Sequence, residues 1–196
     1  MGFFRRKKKE VEVKVEEVKM AEKTWVRAKW SEWADWVQSM DDPRVASTKP
    51  EALDDLTVLD LSYKNYGGCY CSSLLAEFGA KTIRIEPPEG DFIRTCTPYG
   101  ILHKGEGLNY LSEGRNKWLI TLDLEKPEAR EILKGFASRA DVLIETYKPG
   151  TMDDWGIGYE QLKEINPRLI FASLTPFGQF GAKGNSNMPD YDNVTQ

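Results

Sequence analysis

A chain of 196 residues can bury one good core, or one core with an appendage. Its 40% hydrophobic and 30% charged content describes a soluble globular protein, and no apolar run approaches the roughly 18 residues needed to span a bilayer. The formal charge of -4 excludes a nucleic-acid footprint for the domain as a whole.

Residues 1–50 differ in character from the rest. Met1 to Lys9 is basic, but no apolar stretch of a secretory signal follows it. Gly2 invites acylation, yet Arg6 stands where that motif wants Ser or Thr. Lys7 to Lys23 is dense in Lys, Glu and Val. Val11, Val13 and Val15 alternate as in a strand, whereas Val11, Val15 and Val18 fit a helix face, and both readings stand open. Val26, Trp30, Trp33 and Val37 make an amphipathic stripe, expected to pack on the main domain or a partner chain. A membrane-surface helix is the rival reading, weakened by Asp35, Asp41 and Asp42. Asp41 to Pro50 reads as a linker, so the expected domains are 1–50 and 51–196.

From Leu56 onward, apolar strands alternate with helical stretches. Thr57–Leu61 is the first strand, and Gly67-Gly68 breaks it from a helix over Cys71–Phe78. Leu74, Leu75 and Phe78 should face inward on that helix, and Gly79 suits the left-handed position that ends it. Lys81–Glu86 is the second strand and Trp118–Leu124 the third. Pro127 opens the next helix at its first position, with Ala129, Ile132, Leu133, Phe136 and Ala140 as the buried stripe. Asp141–Glu145, a helix over Tyr159–Ile165, and a strand over Leu169–Leu174 follow. Near-continuous apolar strands are covered on both faces, as in parallel sheets. Right-handed crossovers then give an α/β fold, a Rossmann-like, doubly wound, mostly parallel sheet. Asp91 to Gly114 is the exception, a long connection without periodicity, of a kind that is usually functional or disordered.

In such sheets the ligand lies beyond the carboxyl ends of the strands. The tips so selected are Ser62–Gly68, Glu86–Asp91, Leu124–Lys126, Glu145–Gly150 and Thr175–Gly184. The first carries Tyr63, Lys64, Asn65 and Tyr66 before a helix start, where backbone N–H groups can meet a phosphate or carboxylate. The last carries Gly178, Gly181 and Gly184, which allow close backbone approach. A GxGxxG fingerprint is absent, which argues against a nicotinamide oxidoreductase. Lys117 before the third strand reads either as a solvated turn or as a phosphate ligand, and Glu145 is an unexpected carboxylate at the end of an apolar strand. Asp190 and Asp192 flank Tyr191, as acid–base groups or as a polar tail. Phe92, Tyr99 and Tyr110 read as packing, with pocket lining as the rival. Cys69, Cys71 and Cys96 are an odd, sparse set that fits free thiols in a reducing cytoplasm; with His103 the only histidine, no metal site is expected.

These blocks resemble family III CoA-transferases, the CaiB/BaiF group. Val58–Leu61, Leu75–Ala80 and Ile83–Asp91 resemble the opening of that family. Arg115-Asn116-Lys117 with Ile120–Leu124 is similar to its N-K-x-x-I-x-L-D-L segment, and Ala140–Glu145 with Lys148-Pro149-Gly150 to its A-D-V-x-x-E-N-F-x-P-G block. Gly156–Tyr159, Ile165–Ile170, Phe177–Gly181 and Tyr191-Asp192 with Gln196 follow in the expected order, so the resemblance spans about residues 53–196.

The resemblance implies transfer of coenzyme A from a thioester to a free carboxylate through an aspartate nucleophile, which forms a mixed anhydride and then a thioester. It also implies cytoplasmic dimers, with a related acyl-CoA racemase chemistry as a variant. That nucleophile is expected beyond Gln196, so none of the present residues is assigned to catalysis, Asp192 included. By position, the implied coenzyme A contacts are Tyr63, Asn65, Tyr66, Asn116, Lys117, Thr146 and Tyr147. The chain departs from the pattern at Thr146-Tyr147, at Asp154 and Trp155 before the Gly156 turn, and at Gly68 where proline is common. Loss of a phosphate-facing positive charge at Asp154 should cost about 1–3 kcal/mol of affinity. The expectation is a chain that holds the coenzyme A-binding sheet without the attacking carboxylate, as an N-terminal portion or as a non-catalytic subunit of a heteromeric transferase. Expressed alone, it should oligomerise or be poorly soluble.

Overall fold

The computed structural model describes residues 51–184. The readings made for residues 1–50 and for Asp190, Tyr191, Asp192 and Gln196 lie outside the described residues.

The five expected strands form one parallel sheet: β1 (Thr57–Leu61), β2 (Lys81–Glu86), β5 (Lys117–Thr121), β6 (Val142–Glu145) and β7 (Ile170–Ser173). Their order across the sheet is β5-β2-β1-β6-β7, all pairs parallel. The chain therefore builds outward from β1 in one direction, returns, and builds outward from β6 in the other. The reversal puts a topological switch point between β1 and β6, where the loops after the two strands diverge and leave a crevice.

Both faces of the sheet are covered, as apolar strands require. On one face Leu59, Leu61, Ile85 and Leu143 meet Leu133 and Ala137 of α3 (Pro127–Ala137) and Leu162 of α5 (Tyr159–Ile165). On the other, Val58, Ile144 and Ala80 meet Cys71 and Leu75 of α1 (Tyr66–Glu77). This is the doubly wound α/β arrangement that the strand pattern predicts.

α1 differs from the expectation in two ways. It begins five residues earlier, because the Asn65 side chain caps it by accepting from the Gly68 N–H, so Gly67-Gly68 lies in its first turn. Of Leu74, Leu75 and Phe78, only Leu75 packs inward. Leu74 and Phe78 are exposed, and the buried positions are Gly68, Cys69, Ser72, Ser73 and Ala76. The face is small and hydroxylated because it covers buried charge on β1 and β2. Gly68 has no room for a side chain: a Cβ there would stand 2.6 Å from Thr146 Cγ2 and 2.7 Å from Ser62 Cβ. The helix ends as predicted, with Gly79 left-handed at φ 102° and paired Gly79 and Ala80 N–H bonds to Ala76 and Leu75.

The connection from Asp91 to Gly114 is ordered into short pieces. Two 3-10 turns (Phe92–Arg94 and Pro98–Gly100) lead to a hairpin of β3 (Leu102–His103) and β4 (Glu106–Gly107), then α2 (Leu108–Glu113). Pieces this short carry no period, which is why the sequence reads as loop. Lys104 and Gly105 both have positive φ, the geometry of a tight hairpin turn. Further on, β5 is shorter than predicted, and Ile132 of α3 is half exposed while Ala129 and Leu133 are buried. Short helices α4 (Thr151–Asp154) and α6 (Gly181–Gly184) complete the described chain.

Candidate functional site

The crevice is built from the loop after β1 and the loop after β6. Thr146, first residue past β6, stitches them together. Its Oγ1 accepts from the Tyr63 N–H at 2.8 Å and donates to the Tyr63 carbonyl at 3.0 Å. The Tyr63 and Tyr147 rings stack across the gap with centroids 5.8 Å apart at 27°. Tyr147 in turn meets Trp155 edge-on at 5.1 Å, and the Arg130 guanidinium lies 5.7 Å from the Trp155 ring. The Lys64 ammonium sits 4.7 Å over Tyr63. An aromatic ladder thus lines the crevice, with a cation at each end.

Titration follows from burial. Desolvation pushes the Tyr147 phenol well up, helped by Tyr63 and Asp91, so it stays neutral. Glu145 at the tip of β6 is buried, and desolvation raises its pKa; bonds from Ser173 and from the Tyr147 N–H at 2.7 Å pull it back only partly. Tyr66 donates to Glu113 Oε1 at 3.0 Å and stacks on Tyr70 at the exposed start of α1.

Beneath the crevice, under α1, lies a buried polar network that the sequence reading missed. Arg84 is fully buried on β2 and donates to Glu86 at 2.8 Å, Asp60 at 3.0 Å, Ser62 Oγ at 2.8 Å and Asp91 at 2.7 Å. Desolvation works against the Asp60 carboxylate, but Arg84, Lys117 and the Ser62 and Ser72 hydroxyls outweigh it, and its pKa falls below the usual range. Glu86 also takes Arg94 at 2.7 Å, and Arg94 reaches Glu106 of the hairpin at 3.1 Å. The signal for this cluster was present in the sequence: Asp60, Arg84 and Glu86 interrupt strands that are otherwise apolar.

Of the residues expected to hold coenzyme A, the structure brings together Tyr63, Asn65, Tyr66, Thr146 and Tyr147 at the two tips. Lys117 is elsewhere. Its ammonium is buried and bonded to Ser72 Oγ at 2.7 Å, the Cys69 carbonyl at 2.8 Å and Asp60 at 3.2 Å, a second cation on Asp60 beside Arg84. Asn116 precedes β5 and so lies at the amino end of the sheet, with φ 57°. There it lines a separate cavity of about 570 Å³ with Glu51, Gly79, Lys81 and Trp118. A second cavity of about 570 Å³ flanks β7, lined by Glu145, Asp153, Tyr159, Ile170, Phe171 and Gln179. Cys69, Cys71 and Cys96 are free thiols, and among the described residues no cluster of His, Cys, Asp and Glu is placed to hold a metal.

A parallel sheet with an aromatic-lined crevice at its switch point defines a doubly wound α/β protein, of the class that binds its ligands beyond the carboxyl ends of the strands. Residues 53–196 match the sequence model of CoA-transferase family III, and the chain belongs to that family. Among curated relatives, succinyl-CoA–D-citramalate CoA-transferase of Chloroflexus aurantiacus is 40% identical over 133 residues, covering 67% of this chain and 32% of the relative. The beta subunit of succinyl-CoA–L-malate CoA-transferase from the same organism is 43% identical over 114 residues, 57% of this chain and 27% of the relative. The crystal structure of a CaiB/BaiF family protein from Brucella suis superposes with a TM-score of 0.64 at 37% identity, covering 69% of this chain and 36% of that one. The chain therefore spans about a third of the length of the curated relatives it matches.

Proposed function

We propose that residues 53–196 form the coenzyme A-binding sheet of a transferase that moves coenzyme A from an acyl-CoA thioester to a carboxylic acid. The observation that carries this reading is the Tyr63–Thr146–Tyr147 junction at the switch point, in a chain of this family. Tyr63, Asn65, Tyr66, Thr146 and Tyr147 line the cradle. The positive end of α1 and the Lys64 ammonium would meet a phosphate, and the aromatic faces take the apolar parts of the ligand. Lys117 acts from beneath, neutralising Asp60 so that α1 can sit close to the tips. None of the residues lining the cradle is assigned the acyl-accepting role. The chain works in the cytoplasm, where its three free thiols persist, and in an oligomer.

The name of the beta-subunit relative favours a second reading, in which this chain pairs with a different transferase subunit that carries the nucleophile. Calorimetry with coenzyme A and succinyl-CoA tests the cradle. Saturable binding is expected, weakened about tenfold, or ~1.4 kcal/mol, by Tyr63→Ala or Tyr147→Ala. Absence of binding overturns the cradle. Recovery of a sister transferase chain on co-purification decides for the second reading.

A further inference from the structure

Three successive residues of the loop after β1 are each pinned by a different anchor. Tyr63 is held through both its N–H and its carbonyl by Thr146. Asn65 is held by the cap it makes to Gly68 of its own helix. Between them stands Lys64, a non-glycine residue in the left-handed region at φ 53°. A lysine does not rest there unaided, so something outside the loop must hold it. The anchor is Asp91, 27 residues away, whose two carboxylate oxygens stand 3.1 and 3.3 Å from the Lys64 N–H. The Asp91 side chain is wholly buried and is fixed from the far side by Arg84 at 2.7 Å. It also caps the Phe92–Arg94 turn through the Ile93 N–H.

We propose that Asp91, clamped by Arg84, is a positioning residue for the crevice: it holds Lys64 in its left-handed conformation and so presents the Tyr63 ring to Tyr147. The inference rests on the coenzyme A reading above for its functional consequence, but its structural part stands by itself. Asp91 touches no ligand in this account. Its carboxylate does two jobs at once, accepting from the loop on one side and from the guanidinium on the other. Because the same residue starts the 91–113 connection, that connection is tied to the ligand loop by one carboxylate. The chain Lys64–Asp91–Arg84–Glu86–Arg94–Glu106 reaches the hairpin without a gap.

The test uses residues 1–196 with Asp91→Ala and Asp91→Asn, read by amide hydrogen exchange and by coenzyme A calorimetry. In Asp91→Ala the Lys64 amide should exchange at least tenfold faster while the Leu59 and Leu61 amides of β1 keep their protection. Coenzyme A affinity should fall about tenfold. Asp91→Asn keeps an acceptor in the same volume and should fall between the two. If Asp91→Ala does not fold, Asp91→Asn carries the test, with at least threefold faster exchange at Lys64 expected. Unchanged Lys64 exchange in a folded variant overturns the proposal. So does unchanged coenzyme A affinity in a folded variant when the parent chain binds. If the parent chain binds no coenzyme A while Lys64 exchange responds, the functional reading fails and the positioning role stands.

Discussion

Arg84 shows how much of this fold depends on single charges. It neutralises Asp60, Glu86 and Asp91 at once, and with Lys117 it is the only cation among the described residues that reaches Asp60. A buried ion cluster adds little stability compared with an apolar core of equal volume, but removing one partner leaves charge uncompensated. Arg84→Met should therefore cost about 3–5 kcal/mol of unfolding free energy, measured by urea denaturation, since it leaves the buried Asp91 without a cation while Asp60 keeps Lys117 and Glu86 keeps Arg94. A loss below about 1 kcal/mol would mean that the carboxylates protonate or reach water at little cost. None of these pairings was legible in the sequence. Asp60 and Arg84 are 24 residues apart, and Asp60 and Lys117 are 57 apart. Nothing local says which strand charges will be neighbours until the strand order is known. For the same reason Lys117 reads from sequence as a solvated turn or a phosphate ligand, when the register of β5 beside β2 carries it under α1.

At the scale of elements, strands were legible and helix faces less so. β1 and β6 announce themselves as short, mostly apolar runs, and β2 by the alternation of Ile83 and Ile85 before Pro87-Pro88. The stripe expected for α3 holds except at Ile132, because a periodic pattern marks a face wider than the part that touches the sheet. Leu133 is fully buried and Ile132 half exposed, one residue apart on the same helix. Leu133→Ala should cost about 2–5 kcal/mol and Ile132→Ala below about 1 kcal/mol, by denaturant melts of the two variants side by side. The tip of β6 gives a pH prediction. Glu145 has a raised native pKa, caused first by desolvation, so the folded state holds its proton more tightly than the unfolded chain. Its contribution to stability is full below an unfolded value of about 4.3 and is lost as pH rises through the higher native value. Urea melts of the parent and Glu145→Gln between pH 4 and pH 8 should show the parent losing stability relative to the variant as pH increases, then levelling off. A difference that is flat or grows with pH would contradict the raised value.

The whole molecule carries a different kind of information, the state of its edges. Among the described residues, β5 and β7 each pair on one side only. β7 carries no charged side chain to blunt association, whereas β5 carries Lys117, whose charge turns inward. Trp118 and Leu119 are exposed on β5, and Ile170 on β7. The two edges are nonetheless unequal. On β5, Trp118 stands beside Lys117, whose charge turns inward, and offers one large side chain over the amino-end cavity. On β7, Ile170 and Phe171 border a cavity of about 570 Å³ walled by Leu169 and Tyr159 and also by Glu145, Lys148 and Asp153, so an unpaired strand and a recess with apolar and charged walls coincide. An incoming strand or side chain at β7 gains backbone hydrogen bonds and apolar burial together; at β5 it gains them separately. The chain should therefore associate with rising concentration, and β7 should dominate. Sedimentation velocity across a concentration series should show Ile170→Lys shifting the distribution toward monomer more than Trp118→Lys does. A parent chain that stays monomeric throughout, or a larger effect at Trp118, would show that the β7 edge is not the adhesive one.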